Sequence, residues 1–507
     1  MTKLKHVQST AVITGWDFST SGVKCLAFDV DGNALADVRL PTDLWTKGGV
    51  SELNLLQLEG QAHASVRAIA RALRDKGRLD DWLAGGISAT HHTSGRIDSQ
   101  RNQVRRAICW NDTSLAKYHA IGLKRLGGQK KVRELIGGPW ASRYSLSHLV
   151  KDEKTLSEAD WQRTARILSH GSLATGYLTG NFDVTSVSCA ASTGIMDLRT
   201  GEWRKEMLDA IESTAYRALA ASHLPRIIDH HEPIGALTCE PFAGAQARSP
   251  LVFPTSDDQQ AGLIGGGAVD AGQMAIILGT SAVVNSSSAQ LPSTDDLDVM
   301  KLNWGPYLWM RCYNNGAQFL NKIVGKDPDW AQLEAEAREV PASCKKTQVA
   351  PFLFPEPSLG VKKPFFRWAP KKPKHDGVRF RAALEALAYL IALGVRHHEA
   401  SGQSITRITV SGGIAKNKLM CEILASVLNR PLELLVSDEG PALGAAVTAL
   451  AAMENHLRKT HGEPADYTVA DAVAQMVKFR ATVQPNDEWT TTYAKGLRRF
   501  EKLITRT

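Results

Sequence analysis

The sequence predicts an α/β protein made of two domains of related construction, on three observations. Strand patterns alternate with helical ones from AVITGWDF near the N-terminus to LELLVSDEGPALGAAVTALAAM near the C-terminus, and strands interleaved with helices and closed by polar loops indicate α/β architecture. A chain of 507 residues exceeds what one hydrophobic core usually organises, so two units of roughly 200 to 250 residues are expected. The opening turn also returns near the middle, where Leu278-Gly279-Thr280-Ser281-Ala282-Val283 matches Phe18-Ser19-Thr20-Ser21-Gly22-Val23. The proline-flanked SPLVFPT is extended and sets the division at Pro254, giving domains 1–254 and 255–507.

The elements follow in order. AVITGWDF and VKCLAFDV read as strands joined through STSG, with Asp31-Gly32 as a following hairpin turn. From Leu55 to Lys76, Leu58, Ala62, Val66, Ile69, Ala70 and Leu73 share one helical face. AGGISATHHTSGRID is a short strand entering a polar loop, and AICWNDTS is another, with a helix from Leu115. In the second half, FRAALEALAYLIALGVRHHEA is a helix, ITRITV a strand, SGGIAKN a glycine turn and KLMCEILASVLN a helix. Strand, paired glycines and helix bring backbone close to a ligand, with a helix N-terminus behind it. The tail from Asp487 reads as a helix.

Composition narrows the class. Hydrophobic content of 43% with 22% charged residues is that of an ordinary soluble globular protein, and 60 basic against 52 acidic residues is too mild an excess to indicate nucleic-acid binding. Seven cysteines are scattered singly without a C-x-x-C pair, which fits neither a disulfide framework nor a zinc site and points to a reducing compartment. The N-terminus lacks a signal-like apolar core and no apolar run is long enough to span a membrane, so a cytoplasmic protein is expected.

Two acidic positions lie beside the repeated turns: Asp17 just before the first, and Asp257 with Asp258 in TSDDQQAG before the second. A phosphotransferase needs one carboxylate to take the proton of the acceptor hydroxyl and another to hold a metal at the phosphates, while N–H groups of glycine and hydroxyl turns stabilise charge. Each motif alone is also an ordinary turn. Their joint occurrence in both halves favours the phosphate site without naming the acceptor.

In order and spacing, GWDFSTSGVK, TSDDQQAG, ILGTS, SGGIAKN and DEGPALGAA resemble the signature segments of the FGGY carbohydrate kinases, in the sugar kinase, Hsp70 and actin superfamily. GEW at 201–203, the LP to PIGALT passage at 224–238 and LEALAY at 384–389 extend the resemblance over most of the chain. No Walker P-loop is present, consistent with a superfamily that holds ATP between hairpins. The resemblance implies two actin-like, ribonuclease H-like domains with a cleft between them, and ATP-dependent phosphorylation of a small sugar at a primary hydroxyl with Mg²⁺ as cofactor.

Carried over by position, the resemblance implies Asp258 as catalytic base and Asp17 as the magnesium-holding carboxylate. Thr20, Ser21 and Lys24 fall on the first phosphate loop, Gly279 and Thr280 on the second, and Gly412, Gly413 and Asn417 on the nucleotide segment. Gln259 joins Asp258 in the sugar pocket. GISATHHTSGRID aligns on the G-x-S-G-Q-M-H-G pattern of xylulokinase-like members, placing His92 at the pocket histidine and His91 at the neighbouring Met. Glycerol kinases carry Arg-Glu there, which disfavours glycerol. CWNDTS resembles the family's W-N-D segment, with Trp110, Asn111 and Asp112 at the pocket, although Asn-Asp is equally a turn and helix cap. A pentulose such as xylulose or ribulose is the expected acceptor. Another open-chain sugar acid or polyol, such as gluconate or erythritol, and a catalytically weakened sugar or nucleotide sensor are the alternatives. Dimers are common in the family, so a homodimer is an open expectation.

Three departures stand out. RYSLSHLV lacks the family's Lys and Trp, position 257 is Asp where Gly is usual, and PEPSLGVKKPFFRWAPKKPKHDG replaces the SGERTPH loop. Eight Lys or Arg lie between Val361 and Arg381 with Phe365, Phe366 and Trp368 among them. A solvated loop whose aromatics pack on the domain is expected; contact with single-stranded nucleic acid, a phosphate-bearing ligand or a partner subunit is the alternative.

Overall fold

Two mixed sheets carry the molecule, and they share one strand order. The computed structural model describes residues 2–242, 249–325 and 328–505. In the first sheet, Val12–Phe18 pairs antiparallel with Gly22–Asp29, which pairs antiparallel with Ala34–Pro41, while on its other side Val12–Phe18 runs parallel to Trp82–Ala89 and that strand parallel to Leu251–Val252. The second repeats the plan with Gln273–Leu278, Ala282–Ser288 and Tyr307–Tyr313 antiparallel, and Arg407–Ser411 then Leu432–Leu435 parallel. The six-residue repeat in the sequence is thus the tip of the same hairpin in each sheet. Each parallel step needs a helical crossover, which explains why helices separate these strands in the sequence.

Local chemistry starts and stops the elements as the pattern implies. The helix Leu55–Asp75 begins at Asn54, whose side chain accepts from the Leu56 N–H at 3.1 Å, and it buries the six apolar residues of its predicted face. The helix Asp376–Ala400 is apolar on nearly every side because it is enclosed, by the second sheet and by the helices Trp330–Arg338 and Lys418–Leu428. The basic stretch after Val361 departs from the expected loop. Phe365–Ala369 is a strand paired with Gln348–Phe352, because Phe365 and Trp368 pack on the second core and bring the backbone alongside its neighbour. Among the described residues no helix is long and apolar enough to cross a membrane.

The two halves meet along a seam of two helices. Ser256–Asp257, two residues beyond Pro254, still pairs with Trp82–Ala89 of the first sheet, and the chain then enters the helix Asp258–Gly265. The helix Gly440–Thr460, although it follows Leu432–Leu435 of the second sheet, lies against that helix and against Val12–Phe18 and Trp82–Ala89 of the first sheet. Such an approach demands residues without side chains at the contact. A methyl on Gly444 would sit 1.9 Å from the Ala261 carbonyl oxygen, and one on Gly15 would sit 1.8 Å from that of Ala442.

This seam predicts opposite responses to one substitution. Gly444→Ala should lower the unfolding free energy by about 3 kcal/mol, because rigid backbone opposes the new methyl. Gly60→Ala, at an exposed position of the helix Leu55–Asp75 with nothing within 4 Å, should raise it by about 0.5 to 1 kcal/mol through lost chain entropy. Chemical denaturation of the two variants checks both.

Candidate active site

The helix Asp258–Gly265 begins at a fully engaged cap. Asp257 Oδ1 accepts from the N–H groups of Gln259 and Gln260 at 3.0 and 2.9 Å, and its Oδ2 accepts from the Ser188 hydroxyl at 2.7 Å. The Asp257 N–H donates back to Ser188 Oγ at 2.9 Å. With Asp257 used in this way, Asp258 occupies the first helical turn and faces a cleft of about 530 Å³. Burial raises the pKa of its carboxyl; His91 opposes this and Asp257 adds to it, leaving the group above its ordinary range.

Asp17, at the end of Val12–Phe18, is buried near Asp258 and does not itself line the cleft. Its register partners are Lys24 and Ser88, and Oδ1 accepts from the Ser88 hydroxyl at 3.1 Å. Burial and then the neighbouring Asp258 push its pKa up to about 6. A carboxyl with one oxygen bonded and a second carboxylate nearby suits a hard divalent cation, which takes oxygen donors and relieves the repulsion. Asp17 therefore fits Mg²⁺.

The two equivalent hairpin tips both reach the cleft, through Ser19 and Thr20 at the first and Ser281 at the second. At the first, the Ser19 N–H and hydroxyl both donate to the Gly22 carbonyl, at 2.9 and 2.8 Å, and Thr20 lines the cleft; Ser21 is exposed beside Ser19. At the second, the Gly279 N–H donates to the Ser281 carbonyl at 3.0 Å. Ser281 lines the cleft of Asp258, whereas Gly279 and Thr280 line a second cavity of about 690 Å³. One turn is thus a common wall of both cavities.

The second cavity has an aromatic side and a polar end. Trp330, 46% exposed, stands at its edge 6.0 Å from the Phe380 ring. Gly413 and Asn417 line the far side, while Gly412 sits beneath at φ +94°, where a side chain would strike the Leu278 backbone. Asn417 caps the helix Lys418–Leu428 by accepting from the Met420 N–H at 2.8 Å, and its Nδ2 donates to Glu334 at 2.8 Å. Trp330 and Glu334 lie on a helix that the sequence reading did not mark, because their face is completed only by Phe380 and Asn417.

The remaining expected residues separate. His91, Gln259 and Trp110 line the cleft, and Gln259 Oε1 accepts from Asn285 Nδ2 at 3.1 Å. His92 is fully buried at φ +63°, with Nδ1 against the Ser192 carbonyl at 2.7 Å and its ring stacked 4.1 Å from Tyr144. Burial first, then the nearby His91 and Arg143, hold it neutral. Asn111 is exposed, and Asp112 turns away from the cleft to a buried ion pair with Lys151 at 3.0 Å. Lys24 does not face the cleft either; its Nζ meets Glu439 at 2.9 Å, and Arg39 joins the same carboxylate at 2.8 Å. The cleft also contains Arg143, paired with Asp298, and the charged wall of Asp295, Asp296, Arg311 and Glu356, none of which the sequence reading singled out.

The chain is similar to known proteins over most of its length. Residues 12–265 match the model of the FGGY family of carbohydrate kinases, N-terminal domain, and residues 274–453 match that of its C-terminal domain. The xylulose kinase of Escherichia coli (strain K12) is 27% identical over 465 residues, covering 85% of this chain and 88% of the relative. A glycerol kinase of Geobacter sp. (strain M21) is 27% identical over 470 residues, with the same two coverages of 85% and 88%. The crystal structure of ligand-bound xylulose kinase from Lactobacillus acidophilus superposes with a TM-score of 0.82 at 19% identity, covering 98% of each chain.

The Asp112–Lys151 pair yields a prediction that separates structure from binding. Asp112→Asn should reduce stability by about 3 kcal/mol, because the buried ammonium loses its partner, with the KM for the acceptor unchanged. Thermal unfolding alongside steady-state kinetics checks it; a raised acceptor KM at full stability would instead put Asp112 at the sugar.

Proposed function

This chain belongs to the FGGY family of carbohydrate kinases, and from that premise we propose that it transfers the γ-phosphoryl group of ATP to a primary hydroxyl of a neutral open-chain ketose, a pentulose such as xylulose or ribulose. The observation that carries the proposal is the shared wall. Asp258 and Ser281 face one cavity while Gly279 and Thr280, on the same turn, face the other, so an acceptor beside Asp258 and a nucleotide in the second cavity meet at that turn.

Each part has a role. The purine ring stacks by Trp330, with its edge toward Asn417 and Gly413. The phosphates run along the Gly279–Ser281 turn toward Thr20, where N–H and hydroxyl groups stabilise their charge. Asp17 would hold Mg²⁺, which would neutralise charge on the phosphates. Asp258 accepts the proton of the acceptor hydroxyl as its oxygen bonds to the γ-phosphorus and ADP departs. Lys24, held by Glu439, instead links the first hairpin to the start of the helix Gly440–Thr460.

Charge selects among acceptors. Asp258, Asp295, Asp296, Asp298 and Glu356 line the cleft against His91, Arg143 and Arg311, and Arg143 is already paired with Asp298. An aldonate would bring its own negative charge into an acidic cleft, whereas a ketose or polyol would not.

Three outcomes are expected. Asp258→Asn should lower kcat by about a thousandfold while MgADP binding stays within about twofold of the parent, as isothermal titration would show. As pH falls, kcat/KM should decline at a pH above the ordinary carboxylate range, because the raised Asp258 is protonated and inactive there. Across ketopentoses, polyols and aldonates, ADP release should be at least about tenfold faster with a neutral acceptor. A best substrate that is an aldonate would overturn the charge argument, and no acceptor at all would leave a nucleotide-binding sensor.

A further inference from the structure

The side chain of His91 is held between two carboxylates. Its Nδ1 lies 3.5 Å from Asp257 Oδ1 and 3.9 Å from Asp258 Oδ1, and makes no closer polar contact. The backbone of the same residue also faces the base, since the His91 N–H points at Asp258 Oδ1 at 3.4 Å. The ring cannot swing away freely. It lies 3.9 Å from the His92 ring, which is itself fixed by Tyr144 and the Ser192 carbonyl.

Asp257 is only 1% exposed and does not line the cleft. Its oxygens are already occupied by two N–H groups and the Ser188 hydroxyl, and among the described residues His91 is the one basic side chain within ion-pair distance. A buried carboxylate beside a second carboxylate is costly without a cation, and an imidazole beside a lone base competes with substrate for it. Each residue therefore removes the difficulty that the other would create. These are also two positions at which the sequence departs from the family pattern, Gly at 257 and Met at 91, and the departures touch.

We propose that Asp257 and His91 form a positioning pair for Asp258, in which the buried Asp257 carboxylate holds the imidazole and the imidazole orients the Asp258 carboxyl toward the acceptor hydroxyl. The proposal rests on Asp258 being the base. Asp257 acts only through His91, and His91 sets both the direction and the surroundings of the reacting carboxyl.

A double-mutant cycle on the full-length chain tests it, using His91→Met and Asp257→Asn; Asn keeps the helix cap and removes only the charge. Each single variant should lower kcat by about tenfold with the KM for MgATP unchanged, and the double variant should fall by about the same tenfold, since a broken pair has nothing further to lose. A hundredfold fall in the double variant would mean two independent residues, and singles within about twofold of the parent would mean no role; either overturns the pair. MgADP affinity, read on the same samples, should stay at the parental value, and a loss of kcat that tracks a loss of MgADP affinity would reduce the pair to a structural role. Asp258→Asn is run in parallel. If it stays within about tenfold of the parent, the base assignment fails on its own account, whereas a large loss there with an additive cycle refutes the pair alone.

Discussion

Everything in this cleft hangs on the cap at Asp257. A strand pairing with Trp82–Ala89 ends there and a helix begins, and the carboxylate that starts the helix is held by Ser188 and by two N–H groups. Because a helix start is fixed within the first turn by such bonds, the next residue has little freedom, and Asp258 is delivered to the cleft by backbone geometry. The same helix is the surface on which Gly440–Thr460 crosses, at the close contact of Gly444 with Ala261. One short helix therefore both positions Asp258 and carries the contact between the halves.

Charge explains why the site is built from so many carboxyls. Asp17 and Asp258 repel one another, and Asp257 lies behind. An arrangement of that kind is unfavourable for a protein that only needs to be stable and becomes favourable when a divalent cation and a phosphate chain enter. His91 compensates from one side. Burial disfavours its charged form, yet Asp258 and Asp257 outweigh burial and keep its pKa above the ordinary value.

Much of the fold was legible in the sequence because it is written in local periodicity. The buried strand Val12–Phe18, the face of Leu55–Asp75 and the repeated hairpin tips all follow from residues a few positions apart. The division of the candidate site into lining and supporting residues was not. Lys24 reads as a phosphate ligand until Glu439, 415 residues away, takes it; Asp112 reads as a sugar ligand until Lys151 is placed beside it. His92 reads as a pocket residue, but a left-handed backbone turns it inward against Tyr144 and leaves His91 at the surface of the cleft. Asp257 caps the helix through Gln259 and Gln260 beside it, but the Ser188 hydroxyl that takes its other oxygen comes from a distant segment. In each case the deciding partner is remote in sequence, where no spacing rule reaches.

The central claim is that the acceptor hydroxyl lies at Asp258, at the wall shared by the two cavities. The most direct measurement is a crystal structure with a ketopentose and a non-hydrolysable ATP analogue bound together. The account predicts the terminal hydroxyl oxygen within about 2.6 to 3.2 Å of an Asp258 carboxylate oxygen, with the γ-phosphate analogue at the Gly279–Ser281 turn. A sugar whose terminal hydroxyl points away from Asp258, or a nucleotide outside the Trp330 cavity, would contradict it.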